Sequence, residues 1–152
     1  MKKIINRILI TVIAISCILM TACRSSGEPE MVVELYENSW IMEHYMGSVR
    51  EYDHVIWEQY YYEWGSRSLG PTEYSFRGIV YLTDEEAARL KDAYEWHESD
   101  APDLVFEQID PASAGEGPWY SCDQFETDNF PTLLVSYAVF DGEKIVFDVS
   151  QT

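Results

Sequence analysis

The segment Thr83–Glu86 carries the clearest helix-start signal in the sequence, and it directly follows a run that is typical of a strand. Thr83 and Glu86 have the spacing of a capping box, in which the hydroxyl accepts from the third helical amide and the glutamate reaches back. Apolar positions then recur every three or four residues, which predicts an amphipathic helix over about 84–97. Tyr74–Leu82 alternates and is rich in side chains that suit a pleated sheet. The fold must therefore accommodate a strand that leads straight into a helix.

Further strands are expected after this helix. Asp141-Gly142 separates the β-rich runs Leu133–Phe140 and Glu143–Val149, which predicts a hairpin with a type I′ turn. Leu104–Ile109 is predicted to be another strand. The polar stretch 110–131 is predicted to be a long loop, a kind of segment that often carries function.

The aromatic-rich stretch 31–64 is harder to assign. A four-residue recurrence of large side chains suits a helix, whereas their high content of Tyr, Trp, Val and Ile suits a sheet. We predict strands over 39–46 and 54–63, preceded by a short helix over Met31–Glu37. Together with the later elements, this predicts a single small α+β domain over 31–152. It would have an antiparallel sheet of about five or six strands and one principal helix.

The first 22 residues have the layout of a secretory signal peptide. Three basic residues and no acid precede a nearly unbroken apolar run from Ile8 to Met20, and the small pair Thr21-Ala22 leads into Cys23. The apolar run is short for a membrane span, which needs roughly 20 residues. An uncleaved anchor helix and ordinary cleavage without lipid remain the alternatives.

The ending Leu19-Met20-Thr21-Ala22-Cys23 resembles the lipobox of bacterial lipoproteins, with Met20 standing where leucine is usual. The resemblance covers residues 1–23 only. It implies cleavage before Cys23, a diacylglyceryl thioether on its thiol and acylation, typically with palmitate, of its amino group. Cys17 is a second candidate, but cleavage there would leave Ile18–Met20 exposed on the tether. We expect lipid on Cys23, a flexible tether over 23–30 and a place on the extracytoplasmic side of a bacterial envelope.

Charge excludes one class of partner. Removal of residues 1–22 takes away three of the ten basic residues and none of the 27 acids, which leaves a net charge of −20. Such a surface repels phosphate backbones, so nucleic-acid binding is not expected. With Cys23 acylated, Cys122 has no disulfide partner within the chain. Cys122 is predicted to be a buried, inert thiol, with pairing to another chain as the alternative.

Aromatic content is the main candidate for function. The chain has five Trp, eleven Tyr and six Phe, all after residue 23, and they crowd between Trp40 and Trp64. Rings flanked by acids can stack on a sugar, grip a cation or form the centre of a protein interface. They can equally pack both faces of a sheet. The predicted binding residues are Trp57, Tyr60, Tyr62, Trp64, Trp119 and Tyr120.

No catalytic pattern stands out. The three histidines lack paired zinc spacing, and carboxylates are too numerous for a glycosidase pair to be chosen. We expect no cofactor and no metal. The sequence therefore favours a lipid-anchored binding domain whose partner is an envelope protein or a small ligand. The alternatives are an enzyme acting on envelope polymers or glycans, and a purely structural or inhibitory lipoprotein.

Overall fold

The computed structural model describes residues 29–63 and 73–151. The predicted leader, Cys23 and Trp64 therefore lie outside the described residues. The elements, in chain order, are β1 Glu30–Tyr36, α1 Trp40–His44, β2 Tyr52–Glu63, β3 Tyr74–Leu82, α2 Asp84–Ala93, β4 His97–Ser99, a 3-10 helix Pro111–Ala114, β5 Trp119–Ser121, α3 Asp123–Asn129, β6 Leu134–Phe140 and β7 Lys144–Ser150. No helix in these two ranges has the length and apolar character needed to cross a membrane.

The strands form one seven-stranded antiparallel sheet in the order β1-β2-β3-β7-β6-β5-β4. The predicted α+β class holds in this coarse sense, but the sheet has seven strands rather than five or six. The last strand of the chain, β7, lies in the middle, where it pairs with both β3 and β6.

Both faces of the sheet are covered. On the helix face, α1, α2 and α3 contribute Ile41, Leu90 and Phe125 to a cluster that includes Trp57 and Phe147 from the strands. On the opposite face, the segment 100–118 (the strap) lies over the central strands and packs side chains such as Ile109 against them. We call the two sides the helix face and the strap face.

The predicted strand before Thr83 and the N-cap at Thr83 are confirmed, but the reciprocal half of the capping box is not formed. Thr83 Oγ1 accepts a hydrogen bond from Glu86 N at 3.2 Å, and β3 has the predicted bounds. The Glu86 carboxylate does not reach back; it accepts from Arg50 N at 2.7 Å and pairs with Arg89. Helix α2 ends at Ala93 rather than near residue 97, because the backbone becomes extended at Tyr94 (φ −125°, ψ 149°) and enters β4 at His97.

The hairpin between β6 and β7 is confirmed, but its turn is not type I′. That turn needs positive φ at two central residues, whereas only Gly142 has it, at 103°. The Asp141 carboxylate accepts from the backbone N–H groups of Glu143 and Lys144 and shapes the turn instead.

Two predictions near the start of the domain were wrong in type. Residues 30–36 form a strand instead of a helix, and 40–44 form a helix instead of a strand. Helix α1 buries Ile41 and Met42 against the sheet, and this tertiary packing overrides their β-propensity. The predicted strand over 54–63 is present within β2.

The predicted strand Leu104–Ile109 is also wrong, because this part of the strap has no regular structure. Its backbone N–H groups at 107, 108 and 109 donate to the Glu58 carboxylate rather than to a neighbouring strand. The predicted loop 110–131 contains the 3-10 helix, β5 and α3. Cys122, at the start of α3, is buried and makes no disulfide.

Candidate functional site

The structure does not gather the predicted binding residues into one site. Trp57 is 2% exposed and donates from Nε1 to Asn38 O at 3.1 Å, and Trp119 is 5% exposed in the cluster beneath the strap. Their rings are therefore part of the core. Tyr62 is 51% exposed and Tyr60 is half-buried, both on the strap face of β2. Tyr120 is half-buried and lies on β5, away from these residues of β2.

Tyr120 lines a pocket of about 440 Å³, which we call the aromatic pocket. This volume lies in the usual range for sites that hold small organic ligands. The lining comes from the end of α2 and the residues after it, from β5 and from the β6–β7 turn. The lining residues are Lys91, Tyr94, Glu95, Trp96, Pro118, Tyr120, Phe140, Asp141 and Gly142.

The chain brings these rings together because α2 stops at Ala93 and its next residues turn back over the helix face. Trp96 Nε1 donates to Leu90 O at 2.9 Å, and the same carbonyl also accepts from Tyr94 N at 3.3 Å. The ring centroid of Trp96 lies 4.9 Å from that of Phe140 and 5.2 Å from that of Phe125. The Trp96 ring is therefore held in place on the pocket wall.

Tyr94 is fixed in a similar way. Its hydroxyl donates to Asp128 Oδ2 at 3.0 Å, and its ring packs edge-on against Phe125. Burial raises the pKa of the Tyr94 hydroxyl, and the hydrogen bond to Asp128 raises it further. Tyr94 therefore contributes a neutral, apolar ring surface to the pocket at ordinary pH.

Charge at the aromatic pocket is mixed. Asp141 is occupied by the turn amides and lies 3.4 Å from Lys144 Nζ. Lys91 and Glu95 are exposed, and within the described ranges neither makes an ion pair. The pocket thus offers a ring-lined wall with one free cation and one free anion at its border.

A second group of chemically notable residues forms a row across the strap face. Glu58, Arg77, Asp148 and Tyr137 are direct partners on β2, β3, β7 and β6. The row contains two carboxylates beside one guanidinium, a combination that can shift carboxyl pKa values as an acid–base pair requires.

The contacts of Glu58 in this row indicate a structural role. Its side chain is fully buried, accepts from Ile109 N at 2.6 Å and from Arg77 Nε at 3.0 Å, and also receives the N–H groups of 107 and 108. Burial by itself raises the pKa of Glu58, but these donors together hold it below its usual value. Glu58 is thus an ionised anchor for the strap.

Asp148 differs from Glu58. Burial raises its pKa, with a partial offset from Arg77 and from the Tyr60 hydroxyl, which lies 3.4 Å from Asp148 Oδ1. The Arg77 guanidinium sits 4.4 Å above the centre of the Tyr60 ring. The side chain of Arg77 is only 5% exposed. None of these residues lines the aromatic pocket, so the row and the pocket are separate features.

The pocket could not be assembled from the sequence. Its rings come from positions 94, 96, 120 and 140, which have no common spacing. No local motif marks these positions, and Tyr94 and Trp96 lie within the predicted helix over about 84–97.

Comparison of the chain with protein-family models, curated proteins and solved structures finds no match.

Proposed function

We propose that this chain is an exported, lipid-anchored binding protein that holds a small organic ligand in the aromatic pocket. The observation that carries the proposal is the pocket itself: about 440 Å³, walled by Tyr94, Trp96, Tyr120 and Phe140. Rigid aromatic walls with few polar groups are the usual composition of small-molecule sites.

The lining indicates the kind of ligand. Flat ring faces favour a partner with a ring of its own, such as a sugar or an aromatic compound, because such faces pack with little loss of conformational freedom. Lys91 and Glu95 at the border add one charge of each sign. A neutral or zwitterionic ring compound therefore fits better than a strongly anionic one, which the acidic surface repels.

The anchor rests on the sequence alone. The basic start, the apolar run and the lipobox-like ending at Cys23 support export, cleavage and attachment to the envelope membrane through lipid. Metabolic labelling with a palmitate analogue tests this. The label should appear on the wild-type chain and on Cys17→Ser, and it should disappear from Cys23→Ser. Equal labelling of wild type and Cys23→Ser would refute the anchor.

The binding proposal is tested by screening envelope glycan fragments, aromatic compounds and amino acids for an increase in melting temperature. Each hit is then titrated against Tyr120→Ala and against Tyr62→Ala, which removes an exposed ring far from the pocket lining. We expect binding at least tenfold weaker in Tyr120→Ala and unchanged in Tyr62→Ala. A ligand whose binding is weakened only by Tyr62→Ala would contradict a pocket function. A screen without any hit would contradict it as well.

Trp96 offers a direct signal for the same test. Because its ring lines the pocket, a bound ligand should change its fluorescence and protect it from acrylamide. This change should be absent in Trp96→Phe and retained in Trp57→Phe, which alters a core ring on the sheet. A signal that survives Trp96→Phe would place the ligand elsewhere.

A further inference from the structure

Strand β1 ends the sheet in the described ranges, and one of its carbonyl groups, Val33 O, accepts from Gln108 Nε2 of the strap at 2.7 Å. Strand β1 bonds to β2 over all seven of its residues, and no other strand in the described ranges pairs with it. Natural edge strands are usually protected by charged side chains, proline, a bulge or short length. The sequence of β1, Glu-Met-Val-Val-Glu-Leu-Tyr, has no proline, its pairing with β2 is regular, and its only charges are two glutamates, which oppose an acidic partner strand but not a basic one. The edge therefore retains the capacity to accept another strand.

The two faces of β1 differ in chemistry. On the strap face, Met31 and Leu35 are 42% and 39% exposed, with Val33 half-buried between them. The neighbouring positions on β2 are Tyr62, Tyr60 and the buried Glu58. This gives an exposed apolar stripe at the margin of the sheet, of the kind that marks interaction sites.

On the helix face, β1 carries Glu30 and Glu34 at the exposed edge. Glu30 is paired with Glu63 of β2, so acids lie side by side on adjacent strands. In the part of the chain that the structure describes, none of these three carboxylates forms an ion pair with a basic side chain. An added strand would bring its own side chains opposite Glu30 and Glu34, and opposite charges there would stabilise the pairing.

We propose that the outer edge of β1 docks an extended segment of another exported protein, which adds to the sheet as an eighth strand. The segment has apolar residues on the face that meets Met31 and Leu35, and lysine or arginine on the face that meets Glu30 and Glu34. Backbone hydrogen bonds supply affinity, and this alternation supplies specificity. The aromatic pocket takes no part, so the inference does not depend on the pocket function.

Charge argues against a second copy as the occupant. Antiparallel self-pairing centred on Val33 would place Glu30 and Glu34 of both copies on the same face of adjacent strands. Like charges in that position are destabilising, and each chain without residues 1–22 carries a net charge of −20. A strand with basic side chains can pair with the outer edge of β1 without this repulsion.

The test uses the full chain in a nonionic detergent and a seven-residue peptide of alternating lysine and valine. A peptide of the same composition with its lysines and valines in blocks is the matched probe. Titrations at physiological ionic strength screen unspecific attraction. We expect the alternating peptide to bind at least tenfold more tightly than the block peptide. It should also slow amide hydrogen exchange over residues 30–36.

Variants locate the binding. Glu30→Lys/Glu34→Lys should weaken it at least tenfold, as should Leu35→Lys. Glu116→Lys/Glu143→Lys changes the net charge equally at exposed positions outside β1 and should leave binding unchanged. Circular dichroism checks that each variant folds, and Tyr120→Ala separates this site from the pocket, because it should not alter peptide binding.

Three results would overturn the inference. If the two charge-reversal pairs weakened peptide binding equally, the binding would depend on net charge and not on the β1 edge. Equal binding of the alternating and block peptides would exclude strand addition. A dimer in sedimentation experiments that Leu35→Lys dissociates would make a second copy the occupant of the edge.

Discussion

Glu58 provides the sharpest test of how the strap is held. Its buried carboxylate accepts from three consecutive strap amides and from Arg77 Nε. Glu58→Gln keeps the size of the side chain but removes its charge, and the amide group turns a donor toward at least one of these N–H groups. Each buried group that loses its partner costs about 1–3 kcal/mol, and breaking a buried ion pair costs about 3–5 kcal/mol.

We therefore expect Glu58→Gln to lower the free energy of unfolding by about 3 kcal/mol, a large part of the ~5–15 kcal/mol typical of a domain. Urea titrations followed by circular dichroism measure this loss. Glu63→Gln, at an exposed position on the same strand, is the control and should change stability by less than about 0.5 kcal/mol. Amide exchange at 107–109 should accelerate in Glu58→Gln only.

A double-mutant cycle separates the ion pair from the strap contacts. Arg77→Met removes the buried cation, so Glu58→Gln/Arg77→Met should cost about 1–3 kcal/mol less than the sum of the single changes. A cost below about 1 kcal/mol for Glu58→Gln would show that Glu58 does not anchor the strap. Strictly additive single changes would contradict the ion pair, since direct contact at 3.0 Å requires coupling.

Three further predictions concern single positions. Asp148→Asn should raise the free energy of unfolding at pH 7, because burial raises the pKa of this carboxyl and makes its ionised form costly in the folded state. In urea titrations across pH, this gain should shrink as the pH falls through the folded pKa toward the unfolded value of about 3.9; a gain constant down to pH 3 would contradict it. Gly78→Ala should cost about 2–3 kcal/mol, because the added Cβ would lie 2.6 Å from Trp57 Cβ, whereas Gly47→Ala meets nothing within 4 Å and should be neutral in the same assay. Thr83→Ala removes the cap of α2 and should lower the free energy of unfolding by about 1 kcal/mol, a loss that Thr83→Ser should largely restore.

Functional residues were the least accessible to sequence reasoning. Trp57 and Trp119 looked like candidates for exposed rings because of their acidic or loop-like neighbours. The sheet register instead turns Trp57 toward the helices, and the strap covers Trp119. Of the predicted residues that the structure describes, Tyr120 alone lines the aromatic pocket, beside Trp96, which no local motif marks.

The elements whose signals are local could be predicted from the sequence. The strand Tyr74–Leu82, the capped start of α2 at Thr83 and the strands of the hairpin around Gly142 depend on side chains that act on their own backbone. The strap and the aromatic pocket depend on tertiary contacts instead. Residues 107–109 do not pair as a strand because Glu58, about 50 positions away, accepts from their N–H groups. The aromatic pocket exists because rings from three separate parts of the chain, 94–96, 120 and 140, meet at one end of the sheet. Contacts between distant positions leave no periodic pattern in the chain.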